Sequence, residues 1–276
     1  MGVKIKSFVA VVALASAGLA GAQGVSAATA RPTVKLTQPT FQSLSAYGDT
    51  SYPMAWDVSF TLHWSVTAPA GVCKQTLTDQ DYNDLGGDTD PILGGSTATY
   101  PLSKTARSYS GGDGYWLDFL RGGYGAVIRV TDCKGVKVAS NAVHSVILPG
   151  DDNDAAMTYA GSGWRIANCT CFPGGTAHYT TTKNASITFR TAKPADASGV
   201  QLALIMPKGP TRGSAALYID NKYKATINTY KAGVNVNGTI VYQVPLPGTA
   251  THVVKLVNLA TAGHPRIDLD ATINGG

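Results

Sequence analysis

From Val58 to Val66 every second residue is large and apolar: Val58, Phe60, Leu62, Trp64 and Val66 alternate with Ser59, Thr61, His63 and Ser65. A period of two places the apolar set on one face of an extended chain, so this segment buries itself as a strand and not as a helix. The same period returns from Tyr124 to Asp132, in Ser186-Ile187-Thr188-Phe189, from Ala215 to Asp220 and from Lys224 to Tyr230. Composition points the same way. The chain contains no glutamate, and all 17 of its acidic residues are aspartate. Glutamate is a good helix former and aspartate a poor one. Thr, Val, Tyr and Gly, which favour strands and turns, are plentiful. The expected fold class is all-β, with two tandem β-sandwich domains after a cleaved signal peptide.

The first thirty residues read as that signal. Lys4 and Lys6 precede an apolar run from Phe8 to Ala20, and small residues follow through Val25-Ser26-Ala27 and Ala28-Thr29-Ala30. Cleavage is expected after Ala27 or Ala30, and the address is secreted, extracellular or associated with the cell wall. No later run is long enough to span a bilayer. The expected divisions are 1–30 (signal), 31–149 (first sandwich), 150–155 (acidic linker Gly150-Asp151-Asp152-Asn153-Asp154-Ala155) and 156–276 (second sandwich).

Charge is divided unevenly. Residues 31–150 carry nine Lys/Arg against ten Asp, whereas residues 155–276 carry eleven against four. A basic second half suits an anionic polymer, although a solvated domain can also be basic without a partner. The partners expected are a polysaccharide or another cell-wall polymer, with protein partners as the alternative. Neither nucleic acid nor a membrane span is expected.

Four cysteines in a secreted chain predict disulfides. Spacing favours Cys73–Cys133, a loop worth about 4 kcal/mol in the chain-entropy model. Cys169 and Cys171 then pair with each other or stay as thiols. Closing so small a ring needs a local turn, and a structural disulfide is favoured over a metal site that would have only His178 nearby. No cofactor is expected. The Asp-rich stretch with Asp79, Asp81, Asn83 and Asp90 offers oxygen ligands at alternate positions, which suits calcium. An EF-hand would need Gly and Glu where Asp84 and Asp90 stand, so a solvated loop is the expected reading and calcium the alternative.

Leu62-His63-Trp64-Ser65, Tyr124 to Asp132 and the turn Cys133-Lys134-Gly135 resemble the framework of an immunoglobulin-like or fibronectin type III-like sandwich. The resemblance covers most of 32–148 and departs from it over 79–122. A second resemblance is carried by Trp164, Gly174-Gly175-Thr176-Ala177-His178, Ile187-Thr188-Phe189, Pro207-Lys208-Gly209-Pro210-Thr211-Arg212-Gly213, Tyr218-Ile219-Asp220 and Tyr230. These are similar to a domain recurrent in secreted actinobacterial proteins, of the galactose-binding-like jelly-roll class that includes many carbohydrate-binding modules. That class implies a structural calcium held by an early Glu and a late Asp. Asp268 or Asp270 could fill the late place; no Glu exists for the early one, so the metal is not carried over.

Sugars are held by stacking on aromatic faces and by hydrogen bonds from polar side chains. The candidate ligand-binding residues are Trp164, His178, Tyr179, Lys208, Arg212, Tyr223 and Tyr230. Each has a plainer reading as packing or as loop scaffold. No nucleophile elbow or comparable catalytic setting is found, and Asp113 with Asp118 is the least implausible carboxylate pair. The expected function is a non-catalytic binding protein for carbohydrate or another envelope polymer. The alternatives are a structural or adhesive module and a polysaccharide-acting hydrolase.

Overall fold

The computed structural model describes residues 30–275 apart from 38, 47–54, 83–96, 117–122, 142, 147 and 195–198. The expected signal segment, with Asn83, Asp90 and Asp118, falls outside the described residues. In chain order the first half supplies β1 (Thr33–Leu36), β2 (Thr40–Ala46), β3 (Ala55–Thr67), β4 (Val72–Tyr82), β5 (Thr97–Leu102), β6 (Ser108–Trp116), β7 (Gly123–Asp132), β8 (Lys137–Ala139) and β9 (Val143–Val146). One sheet runs β1-β3-β2, with β6 also on β3; the other runs β5-β4-β7-β8, with β9 also on β7. Val58, Phe60, Leu62 and Trp64 face inward from β3 and meet Leu77, Ala126, Ile128 and Val130. The buried Trp64 and Gln75 side chains are paired. Trp64 Nε1 donates to Gln75 Oε1 at 3.1 Å, and the Gln75 amide donates to the Ser103 and Lys104 carbonyls at 2.8 Å each. Cys73 and Cys133 are bonded, joining β4 to the turn after β7.

Asp79 and Asp81 do not sit on a calcium loop. Both lie on β4, where the backbone is paired with β5 and β7. A strand ladder fixes them in extended backbone, and an EF-type loop cannot form there.

The second half supplies β10 (Leu148–Asp151), β11 (Thr158–Ala160), β12 (Arg165–Asn168), a 3₁₀ turn at Pro173–Gly175, β13 (Thr176–Thr180), β14 (Ser186–Arg190), β15 (Val200–Ile205), β16 (Ser214–Ile219), β17 (Lys222–Asn228), β18 (Ile240–Leu246), β19 (Val253–Asn258), β20 (Ile267–Leu269) and β21 (Ala271–Gly275). They form three sheets, ordered β10-β21-β15-β18, β11-β14-β19-β16-β17 and β12-β13-β20. The fold is all-β, and among the described residues no helix is long and apolar enough to cross a membrane. The β16–β17 hairpin turns on Asp220 (φ 51°) and Asn221 (φ 61°). Both residue types tolerate positive φ, as a two-residue turn of this hand requires.

All six residues of β15 are buried. Leu202 and Leu204 face a core with Phe189, Leu217 and Leu256. Ala203 and Ile205 face the opposite way, into a core that contains Phe41, Phe60 and Trp64 of the first half. Gln243 on β18 ties the same contact: Phe41 N–H donates to its Oε1 at 3.1 Å, and its Nε2 donates to the Phe41 carbonyl at 2.9 Å.

The acidic segment expected to be a linker is built into this body. Leu148–Asp151 is β10, antiparallel to β21, and Asp152 is fully buried. A run of aspartates reads as solvent-facing, but the β10–β21 ladder draws this one inward. The segment Ile267–Ile273 forms two strands. It breaks at Asp270, leaving β20 in the three-stranded sheet and β21 in the four-stranded one.

Candidate functional site

Two clusters of polar and aromatic side chains form in the second half, and the seven candidate residues are shared between them and one isolated position. The first cluster surrounds Asp152. Its Oδ1 accepts from Thr176 Oγ1 at 2.6 Å, and its Oδ2 from His178 Nδ1 at 2.6 Å. Its backbone carbonyl accepts from the Tyr159 hydroxyl at 2.5 Å. The His178 ring stacks on Tyr159 at 4.3 Å, and Trp164 meets the same tyrosine edge-on at 4.9 Å. Burial lowers the His178 pKa, with the Asp151 charge acting in the opposite direction. Trp164 and His178 are half-buried: both pack on Tyr159, and His178 is also bonded to Asp152.

Beside them lie buried carboxylate oxygens that are poorly hydrogen-bonded. Both Oδ atoms of Asp270 and Oδ1 of Asp151 are buried without a hydrogen bond of normal geometry. Burial pushes the Asp270 pKa to about 9, helped by the charges of Asp152, Asp151 and Asp268. Burial and then neighbouring Asp152 push Asp151 to about 7. Backbone geometry places these groups together: Asp152 N–H donates to the Asp270 carbonyl at 3.1 Å where β10 runs into β21. Gly174 (φ 69°) closes over Asp151, since a Cβ there would stand 2.9 Å from its Oδ1. The bonded pair Cys169–Cys171 makes the local turn that leads into this loop, and Cys169 N–H donates to the Gly175 carbonyl at 2.9 Å.

The oxygens of Asp151 and Asp270 are of the donor type that a hard cation takes. They are carboxylate oxygens, stripped of water and repelling one another, which is the chemistry calcium neutralises. Among the described residues no group of three or more His, Cys, Asp or Glu side chains converges to hold a metal. An ion here would complete its shell with backbone oxygens and water, as calcium commonly does.

The second cluster gathers Arg212, Asp268, Arg266, Tyr179 and Asn235. Asp268 is fully buried between two guanidinium groups. Arg212 Nε donates to its Oδ2 at 3.2 Å, and Arg266 Nε lies 2.9 Å and 3.0 Å from its two oxygens. Arg266 also covers the Tyr179 ring, its Cζ 3.7 Å from the centroid. Arg212 Nη1 donates to Asn235 Oδ1 at 2.5 Å. A Cβ at Gly209 would stand 2.1 Å from that Asn235 oxygen, so a side chain there would displace Asn235 from Arg212.

The corner Pro207-Lys208-Gly209-Pro210 organises the surface above this network. Lys208 bridges to Val236 and Gly209 to Tyr230. His264 Nδ1 donates to the Pro210 carbonyl at 2.6 Å, and its ring lies 4.3 Å from that of Tyr230. Tyr230 is 43% exposed. The result is an open aromatic surface of Tyr230 and His264, held by a loop whose underside is locked by buried charges.

Of the candidates, Lys208, Arg212, Tyr179 and Tyr230 thus belong to one region, Arg212 and Tyr179 as its support. Tyr223 stands apart. It is 58% exposed, lies on β17 beside Tyr218, and its hydroxyl is bonded to Thr226 Oγ1 at 2.9 Å. Seven residues of extended chain separate it from Tyr230, roughly 20 Å. His264, Arg266 and Tyr159 were not singled out from sequence. For His264 no local pattern could mark it, because Tyr230 and Pro210 lie tens of residues away in the chain.

No family model matches the chain, and no curated protein matches it. Solved structures similar to it include the CBM36-1 domain of a multidomain xylanase from the hindgut metagenome of Trinervitermes trinervoides. The identity is 17%, covering 44% of this chain and 91% of that one, with a TM-score of 0.33. A family 35 carbohydrate binding module from Clostridium thermocellum matches at 12% identity and TM-score 0.34, covering 46% and 96%. An exo-beta-1,3-galactanase from Phanerochaete chrysosporium matches at 12% identity and TM-score 0.34, covering 85% and 69%. Likenesses this slight say nothing of what this chain binds.

Proposed function

We propose that this is a secreted, non-catalytic protein that binds a carbohydrate or another cell-envelope polymer at the Tyr230–His264 surface. The observation that carries the reading is the half-exposed Tyr230 ring, paired with His264 and set on a loop fixed by the Arg212–Asp268–Arg266 network. An aromatic face held rigid in this way stacks on the apolar face of a sugar ring without an ordering cost. Lys208 and Asn235, on the same loops, would supply polar contacts at its edge. In the same proposal Asp151 and Asp270 hold a calcium ion, which would neutralise their charge and fix β10 to the β20–β21 bend.

Affinity electrophoresis against a panel of polysaccharides tests the reading. Tyr230→Ala is expected to weaken retention about tenfold, within the ~1–3 kcal/mol typical of aromatic stacking, while the melting temperature stays nearly constant. Absence of retention on every polysaccharide at low salt, or equal retention of Tyr230→Ala and the parent, would overturn it. A protein partner is the second reading. It draws on β17, the last strand of its sheet, where Tyr223 is exposed; Lys222 and Lys224 on either side are the charges that edge strands use against unwanted pairing.

A further inference from the structure

The outer face of the β5-β4-β7-β8 sheet holds an open depression of about 560 Å³. Its position follows from strand alternation. Gln75, Leu77, Ile128 and Val130 point into the core, so Lys74, Thr76, Arg129, Thr131 and Lys137 point out. Register places Lys74, Thr131 and Lys137 in one row across three strands, with Thr76 and Arg129 in the next. Strands are about 4.8 Å apart, so the two lysines start roughly 10 Å from each other, with Arg129 about 7 Å along the central strand.

Three cations thus line one concavity, and none of its lining residues is acidic. None of the three has an ion-pair partner among the described residues. The acid closest in sequence, Asp132, is buried and turned to its own hairpin, where Oδ1 accepts from the Lys134 and Val136 amides. This clustering runs against the composition around it, since residues 31–150 carry more Asp than Lys and Arg. Arg129 is braced by donation to Thr78 Oγ1, which orients its guanidinium before any ligand arrives.

We infer that this depression is a binding site for a polymer bearing repeated oxyanions, carboxylate or phosphate. Charges set this far apart are partly screened at physiological salt, so their pull on an anion is strongest at low salt. Cations spread over roughly 10 Å are wider than one carboxylate or phosphate, so the ligand carries at least two anionic groups. The arginine matches either oxyanion with paired hydrogen bonds. Thr76 and Thr131 add hydroxyls for a polyol backbone. No aromatic ring lines the site, so neutral sugars find no stacking surface there. The inference is independent of the Tyr230 surface.

Titration with polygalacturonate and, separately, with long-chain polyphosphate tests it, each at low and at physiological salt. The comparison is between the parent, Lys74→Glu/Lys137→Glu, and a control with the same charge change on β17, Lys222→Glu/Lys224→Glu. The first variant is expected to bind at least tenfold more weakly, with a flatter salt dependence; the control binds as the parent does. Binding of polygalacturonate alone identifies a uronate source, and binding of polyphosphate alone a phosphate source; either supports the site. Lys74→Gln/Lys137→Gln, read in the same titration, gives the result where reversal disturbs folding. Failure of the parent to bind either polyanion, or an equal loss in the β17 control, would overturn the inference.

Discussion

Asp268→Ala is expected to cost this protein about 3–5 kcal/mol, the loss typical when one partner of a buried ion pair is removed. Two arginines share this carboxylate, but they will respond differently. The Arg266 side chain keeps 22% of its exposure and can turn toward water; Arg212 keeps 6% and cannot. The penalty therefore falls on Arg212, left charged in a site without an anion. For a chain of this length the melting temperature should drop by about 6–20 °C, followed by far-UV circular dichroism. Arg212→Met combined with Asp268→Ala should recover part of the loss, since it removes the stranded charge. A loss under about 1 kcal/mol would show that Arg212 reaches solvent after all.

Asp270→Asn is expected to act in opposite directions with and without calcium. The folded pKa of Asp270 is raised to about 9 and that of Asp151 to about 7, each from an ordinary 3.8. A raised pKa means the folded state holds its proton more tightly than the unfolded chain does. The stabilising share is complete below about pH 4 and is lost as pH rises through about 7 and then about 9. In chelator, then, the protein should weaken steadily from pH 5 to pH 9. Asparagine keeps the shape without the charge, so Asp270→Asn should raise the melting temperature at pH 8 by about 5 °C, a gain of roughly 2 kcal/mol. With calcium the order reverses. The parent should gain about 2.7 kcal/mol at a hundredfold excess over the dissociation constant, and Asp270→Asn should gain almost none. Differential scanning fluorimetry reads all four conditions. A parent whose melting temperature ignores calcium removes the ion from the proposal.

Much of the architecture was legible because period-two alternation is a local signal. The inward set of β3 follows from it. β15 is buried on both faces. What covered the second face could not be read, since that depends on Phe41 and Trp64, more than a hundred residues earlier. The site was less legible. Tyr230 was found by its type, yet its value depends on His264, 34 positions later, across a loop closure that no local pattern encodes. Trp164 and His178 were found by type too, but Tyr159 and Asp152 claim them. Asp151 and Asp152 were misplaced for a general reason: composition reports how polar a segment is, and pairing with β21 decides where it goes.

The double burial of β15 has a consequence for how this chain meets a long ligand. Because Ala203 and Ile205 share a core with the first half, the Tyr230 surface and the cationic depression belong to one compact unit. A polymer able to reach both would make its second contact at an effective concentration set by its own stiffness alone. Avidity would then report the spacing of groups along the polymer, and short fragments, however well matched to either surface, would be held far more weakly than the chain they came from.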